Sequence, residues 1–181
     1  MTARRLKADK CSLIGGTHVQ VTSSLEAGDF LCQAGAGGFS VGRKLGIGKK
    51  GRIDSEGKIK IGSLFSKMRD LQMGEAPSAD EDFSLEAFLA QVKEQEAVDE
   101  CMKITADDDI MIDNLQGMVN LHTSKAVNIT LFSVESGRLV VNAPQAHVDL
   151  YIRSVDDLSL VHCNSANIFI GEDFDGCQIY D

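Results

Sequence analysis

The chain has 181 residues, 43% of them hydrophobic and 25% charged, enough for one domain or for one elongated repeat structure with an insertion. Aromatic residues make up only 6% and Trp is absent, which argues against a sugar cleft or a nucleic-acid platform built on stacking, so nucleic acid is not expected as a partner. The net charge of −9 divides unevenly: residues 1–62 hold 11 Lys/Arg against 5 Asp/Glu, and residues 63–181 hold 7 against 22.

Residues 1–10 are basic and are followed by no apolar stretch, so they read as a flexible arm rather than a secretory signal. No run of 18 apolar residues is present, and no integral membrane segment is expected. Cys11, Cys32, Cys101, Cys163 and Cys177 are odd in number and scattered, which suits reduced thiols and a cytoplasmic location.

Residues 11–65 are glycine-dense, with 12 of the 17 glycines between Gly15 and Gly62. Short strand-like pieces alternate there with glycine turns, at His18–Thr22, Asp29–Cys32, Phe39–Val41, Lys44–Ile47, Gly51–Asp54 and Lys58–Ile61. Residues 66–103 break the rhythm. Ser78-Ala-Asp-Glu81 fits a helix capping box, and Leu85, Phe88, Leu89 and Val92 fall on one helical face, which predicts one α-helix over about Asp80–Cys101.

Residues 104–181 carry the clearest pattern. After a first strand at Ile110–Ile112, seven β-type runs recur at Val119–His122, Val127–Leu131, Leu139–Val141, Val148–Ile152, Leu158–Val161, Ile168–Ile170 and Gln178–Tyr180. Their starts are 8, 12, 9, 10, 10 and 10 residues apart, and most alternate apolar with polar side chains. Alternation sends Val119, Leu121, Ile129, Leu131, Val148, Leu150, Ile152, Leu158, Leu160, Ile168 and Ile170 inward. Asn120, Asn128, Asn142, Asn164 and Asn167 suggest asparagine ladders at corners. Two strands per turn make a coil of about twenty residues, with Val127, Val148 and Ile168 in one column and Leu139, Leu158 and Gln178 in another. The expectation is a mainly β protein, a β-solenoid (parallel β-helix) with one inserted or capping α-helix and residues 11–181 as one continuous domain. A β-sandwich is the alternative.

The stretch from Ser12 to Phe65, including GFSVGRKLGIGKKGRIDSEGKIKIGSLF, resembles the short-rung β-solenoids of bactofilins and the β-helical polymer domains of flagellar assembly protein A. The resemblance implies self-assembly. The helical insertion and the ten-residue beat after it depart from a plain bactofilin, whose solenoid is continuous.

Chemical motifs are sparse. No Cys-x₂-Cys or His-x₃-His pair offers a metal site, and no metal or organic cofactor is expected. His162 and Cys163 are strand neighbours and face opposite ways, one inward and one outward. Gly42–Gly51 fails the phosphate-loop pattern, since Arg43 stands where the first Gly belongs and Lys50 where Ser or Thr belongs. Its Arg43, Lys44, Lys49 and Lys50 instead read as a basic patch for assembly or partner binding. Asp107–Asp109 with Asp113 and Asn114 lacks the calcium loop's alternating ligands and terminal Glu, and reads as a solvated rim. The pattern therefore points to a non-enzymatic scaffold that forms a homo-oligomer. A binding module or delivered effector holding a basic protein on its acidic surface is the second reading, and a β-helical polysaccharide lyase or hydrolase the third.

Overall fold

The computed structural model describes residues 1–66, 102–135, 139–154 and 160–171. They contain eleven strands and no helix: β1 Thr2–Gly15, β2 His18–Ala34, β3 Gly38–Ser55, β4 Ile59–Ser66, β5 Met102–Ala106, β6 Ile110–Ile112, β7 Leu115–Gln116, β8 Val119–His122, β9 Asn128–Glu135, β10 Leu139–Ser154 and β11 Leu160–Ile170. Every strand pairing among them is parallel. Parallel neighbours one turn apart make a β-solenoid of about seven turns. The helix expected over Asp80–Cys101 and the strand at Gln178–Tyr180 lie outside the described residues.

The coil repeat is the twenty-residue period that the sequence beat predicts. Val19 pairs with Phe39, Phe39 with Ile59, Ile110 with Ile129, and Ile129 with Val148. Across the insertion the ladder continues, since Ile59 pairs with Ile110 and Gly51 with Met102. The described strands on either side of residues 67–101 therefore belong to one ladder, with β5 in register on β3 and β6 on β4.

Each long strand bends where the register slips, as between Ala27 and Asp29 or between Val41 and Lys44. Such bulges turn the chain around the coil without breaking the ladder. The tighter corners stack on one another: Gly35 N donates to Gly15 O at 3.1 Å, Glu56 N to Ala34 O at 3.0 Å, and Asp107 N to Ser55 O at 3.0 Å. Gly38 has φ +82° with the Lys58 backbone against it, and Gly117 has φ +100° against Ser66, so neither corner accepts a side chain. Close backbone approach accounts for part of the early run of glycines, since a Cβ at Gly35, Gly42 or Gly57 would also meet a carbonyl oxygen of the turn before.

Inward positions form continuous apolar columns. One runs Leu6, Leu25, Leu45, Leu64, Leu115, Val134, Ile152, Ile170, and another runs Ala3, Val21, Val41, Ile61, Ile112, Leu131, Leu150, Ile168. Identical or similar side chains in adjacent turns pack tightly, and Leu25, Leu45, Leu64, Ile61, Ile112 and Leu131 are fully buried. Of the residues expected inside, Val119, Leu121, Ile129, Leu131, Val148, Leu150 and Ile152 are buried. Ile168 is partly buried, while Ile170 is 49% exposed. Leu158 and the Leu160 side chain lie outside the described set.

Three expectations are corrected. Residues 2–10 are not a flexible arm: they belong to β1, which pairs with β2 along its length. They lack an apolar rhythm because β1 is an edge strand, and only Leu6, Cys11 and Leu13 of it meet the core. The columns proposed for Val127, Val148 and Ile168 are displaced by a residue or two, since Val148 pairs with Ile129 and Ala166, and Ile168 with Leu150. In the second column Leu139 pairs with Val119, while Leu158 and Gln178 lie outside the described residues. No asparagine pairs with another asparagine in the described register: Asn120 meets Lys103 and Val140, Asn128 meets His147, Asn142 meets His122 and His162, and Asn167 meets Asp149.

Candidate functional site: the open ends and a divided basic surface

Among the described residues β1 pairs only with β2, and β11 only with β10. An edge strand carries a row of backbone N–H and C=O groups with no partner on its open side. Side chains that would be interior one turn further in are accessible there, with Ile170 49% exposed and Leu6 and Ile168 only partly buried.

The outer face of the last three turns is ordered by cross-turn contacts. Phe132, Tyr151 and Phe169 stand one above the other, with ring centroids 4.9 and 4.5 Å apart and interplanar angles of 26° and 9°. Beside this stack, His147 Nδ1 and Ser165 Oγ share a hydrogen bond of 2.8 Å, and His147 Nε2 lies 3.2 Å from Asp149 Oδ1. Asn167 Nδ2 donates to the same Asp149 oxygen at 2.9 Å. The Ser–His–Asp order is that of a nucleophile, base and orienting acid. Here, however, the imidazole turns Nδ1 rather than Nε2 to the serine, on the outer face of a flat sheet. These bonds tie β10 to β11.

The sequence-predicted basic patch is divided. Lys44 is held by Glu26, donating to Oε1 at 3.4 Å, and lies 5.1 Å from the Phe65 ring centroid. Lys7 approaches the same carboxylate at 3.6 Å. The two lysines hold the exposed Glu26 carboxyl below its ordinary pKa, Lys44 foremost. Lys44 lines one groove with Lys7 and Glu26, whereas Lys50 lines a different one with Lys10, Arg52 and Lys103. Arg43 and Lys49 are exposed at the two register slips of β3 and line neither groove. The Lys50 groove encloses about 490 Å³ and is floored by Phe30, Leu31 and Cys11. It also holds Asp29, the register partner of both Lys10 and Lys50. Arg52 is already paired with Asp54 at 2.7 Å. Lys10 and Lys103 are members of this surface that the run Gly42–Gly51 does not announce. They are found only when residues one turn apart are compared.

The acidic rim at Asp107–Asp109 is engaged with its neighbours. Asp109 accepts from Asn128 N at 2.9 Å and from Lys58 Nζ at 3.2 Å, and these bonds hold its carboxyl below the usual range, the Asn128 amide foremost. Cys163 packs inward against the core and its neighbour His162 is exposed, as strand alternation requires. Cys32 is fully buried and its thiol is pushed up to about 12, chiefly by desolvation, so it is no nucleophile at neutral pH. Among the described residues no helix is long and apolar enough to cross a membrane.

No protein-family model matches the chain, and neither a curated protein nor a solved structure matches it.

Proposed function

We propose that this chain is a non-enzymatic structural protein, a scaffold of the bactofilin-like kind, that associates with copies of itself through its solenoid. The observation that carries this reading is the pair of open terminal strands. β1 and β11 each have one hydrogen-bonded neighbour among the described residues, and apolar side chains of the interior columns are accessible at both. A parallel ladder that stops with its edge exposed is a template for another strand. Charge supports the same reading, because the basic first third and the acidic remainder give one molecule two complementary surfaces.

Light scattering coupled to size exclusion, over a range of protein and salt concentrations, tests this. The expected result is a molar mass that rises with protein concentration and falls with salt, since the Debye length shrinks to about 3 Å near 1 M. A monomer at every concentration and ionic strength overturns the proposal. Replacing Arg43, Lys44, Lys49 and Lys50 together by Glu tests the share carried by those side chains. Unchanged assembly in that variant would remove them from the interface and leave the strand edges as its basis.

A further inference from the structure

We infer that copies of this chain join head to tail in continuous register, the first turn of one copy seated on the last described turn of another, with Arg4 stacked on the Phe169 ring. The inference rests on the self-association proposed above and adds its polarity, its register and its contact residues.

The register itself points to this arrangement. Three columns run through the coil from β1 to β11: one from Thr2 to Asn167, one from Ala3 to Ile168 and one from Leu6 to Ile170. A second copy whose first turn sits one strand spacing, about 4.8 Å, beyond β11 would extend all three. Its Thr2 would meet Asn167, its Ala3 would meet Ile168 and its Leu6 would meet Ile170. The apolar groups would then be covered on both sides, as their equivalents are in the central turns.

The aromatic stack gives the second argument. It occupies three successive turns and stops at Phe169, which is 49% exposed. Phe169 lies two residues after Asn167, and Arg4 lies two residues after Thr2. Extension of the column therefore sets the exposed Arg4 guanidinium over the exposed Phe169 ring, a favourable cation–π geometry.

Charge decides between this polarity and a two-fold joint. β1 carries Arg4, Arg5, Lys7 and Lys10 against Asp9 alone, so pairing β1 with β1 sets like charges across the contact. β11 carries no Lys, Arg, Asp or Glu, so the basic edge of β1 meets no like charge on it. The basic edge therefore suits the other end of the molecule. A contact between unlike surfaces propagates into a filament or closes into a ring.

The test is the double variant Thr2→Cys with Asn167→Cys under mild oxidation, because register partners in adjacent strands fall within the Cα separation of roughly 4.4–6.8 Å that a disulfide needs. The expected result is a ladder of covalent dimers, trimers and higher species, absent from wild type and from each single variant. Dimers from Thr2→Cys alone, or from Asn167→Cys alone, would establish a two-fold joint and overturn the inference. Assembly seen by light scattering without the ladder would also overturn it, while leaving the scaffold reading in place. Absence of assembly in wild type would sink both. As an independent measurement, Arg4→Glu and Phe169→Ala should each raise the concentration for half-assembly by roughly tenfold, with Arg4→Lys closer to wild type. If neither variant moved that midpoint, the stacked contact would be excluded.

Discussion

At the scale of single residues, burial and register decide which side chains can do chemistry. Cys32 illustrates this: it is fully buried, paired in register with Leu13 and Ile53, and its thiol is pushed up to about 12 by desolvation. In the native protein at neutral pH, a thiol-directed alkylating agent should leave Cys32 unmodified, while denaturation should open it. Peptide mapping by mass spectrometry reads this directly, and rapid native labelling at Cys32 would contradict the buried column. Asp109 makes the opposite case, a half-exposed carboxylate fixed by the Asn128 amide and Lys58. Because its folded pKa is lowered, its contribution is present above the unfolded value of about 3.9 and is lost as pH falls through the folded one. Glu26 shifts in the same direction, with Lys44 as the first cause. Stability should therefore fall on acidification below about pH 4, and Asp109→Ala, costing about 1 kcal/mol, should flatten that dependence. A variant whose melting temperature follows the wild-type pH profile would show that Asp109 contributes nothing to it.

At the scale of strands and corners, stability comes from columns of like side chains stacked at one-turn spacing. Leu45 sits between Leu25 and Leu64, all with no exposed surface. Leu45→Ala should cost about 2–5 kcal/mol, read from a denaturant titration, because the neighbouring turns are fixed by their own ladders and close the cavity poorly. The corners are equally strict. Gly38→Ala should cost more than about 1 kcal/mol, since a side chain at positive φ would meet the Lys58 backbone. Gly16, which has open space around it, supplies the contrast and should accept Ala with little effect. Equal losses at the two sites would refute the corner geometry. The strand beat made the coil legible from the sequence, because alternation at ten-residue spacing reflects inward and outward faces directly. Register was not legible to the residue, since slips such as that between Ala27 and Asp29 make the offset between paired residues vary from turn to turn. β1 was hidden for a different reason: an edge strand buries little, so Thr2–Lys10 shows charge where an inner strand would show alternation. The candidate site was legible only in part. Lys50 stands out as part of a basic run, but its groove partners Lys10 and Lys103 become neighbours only once the turns are stacked. The Phe132–Tyr151–Phe169 stack had a readable signal, because its members are 19 and 18 residues apart, close to one coil repeat.

At the scale of the whole molecule, a solenoid is nearly one-dimensional: each turn touches the turns before and after it and little else. Among the described residues β2 and β3 are paired on both sides, whereas β1 and β11 are each paired on one. Local opening should therefore cost least at the two ends and most in the middle. In dilute solution at high salt, hydrogen exchange should be slowest over Phe39–Ile61 and Ile110–Leu131 and fastest in β1 and β11. Raising the protein concentration at low salt should then slow exchange in Thr2–Leu6 and Ser165–Ile170 together, because a joint between unlike ends covers one of each. The outer faces carrying Lys44 and Lys50 should change little if the strand edges bear the contact. Protection that appeared on those faces and not at the ends would instead describe lateral association of coils through charge. Protection at β11 without β1 would describe a two-fold joint at the apolar end. The measurement separates these geometries because each places a different set of backbone amides out of reach of water.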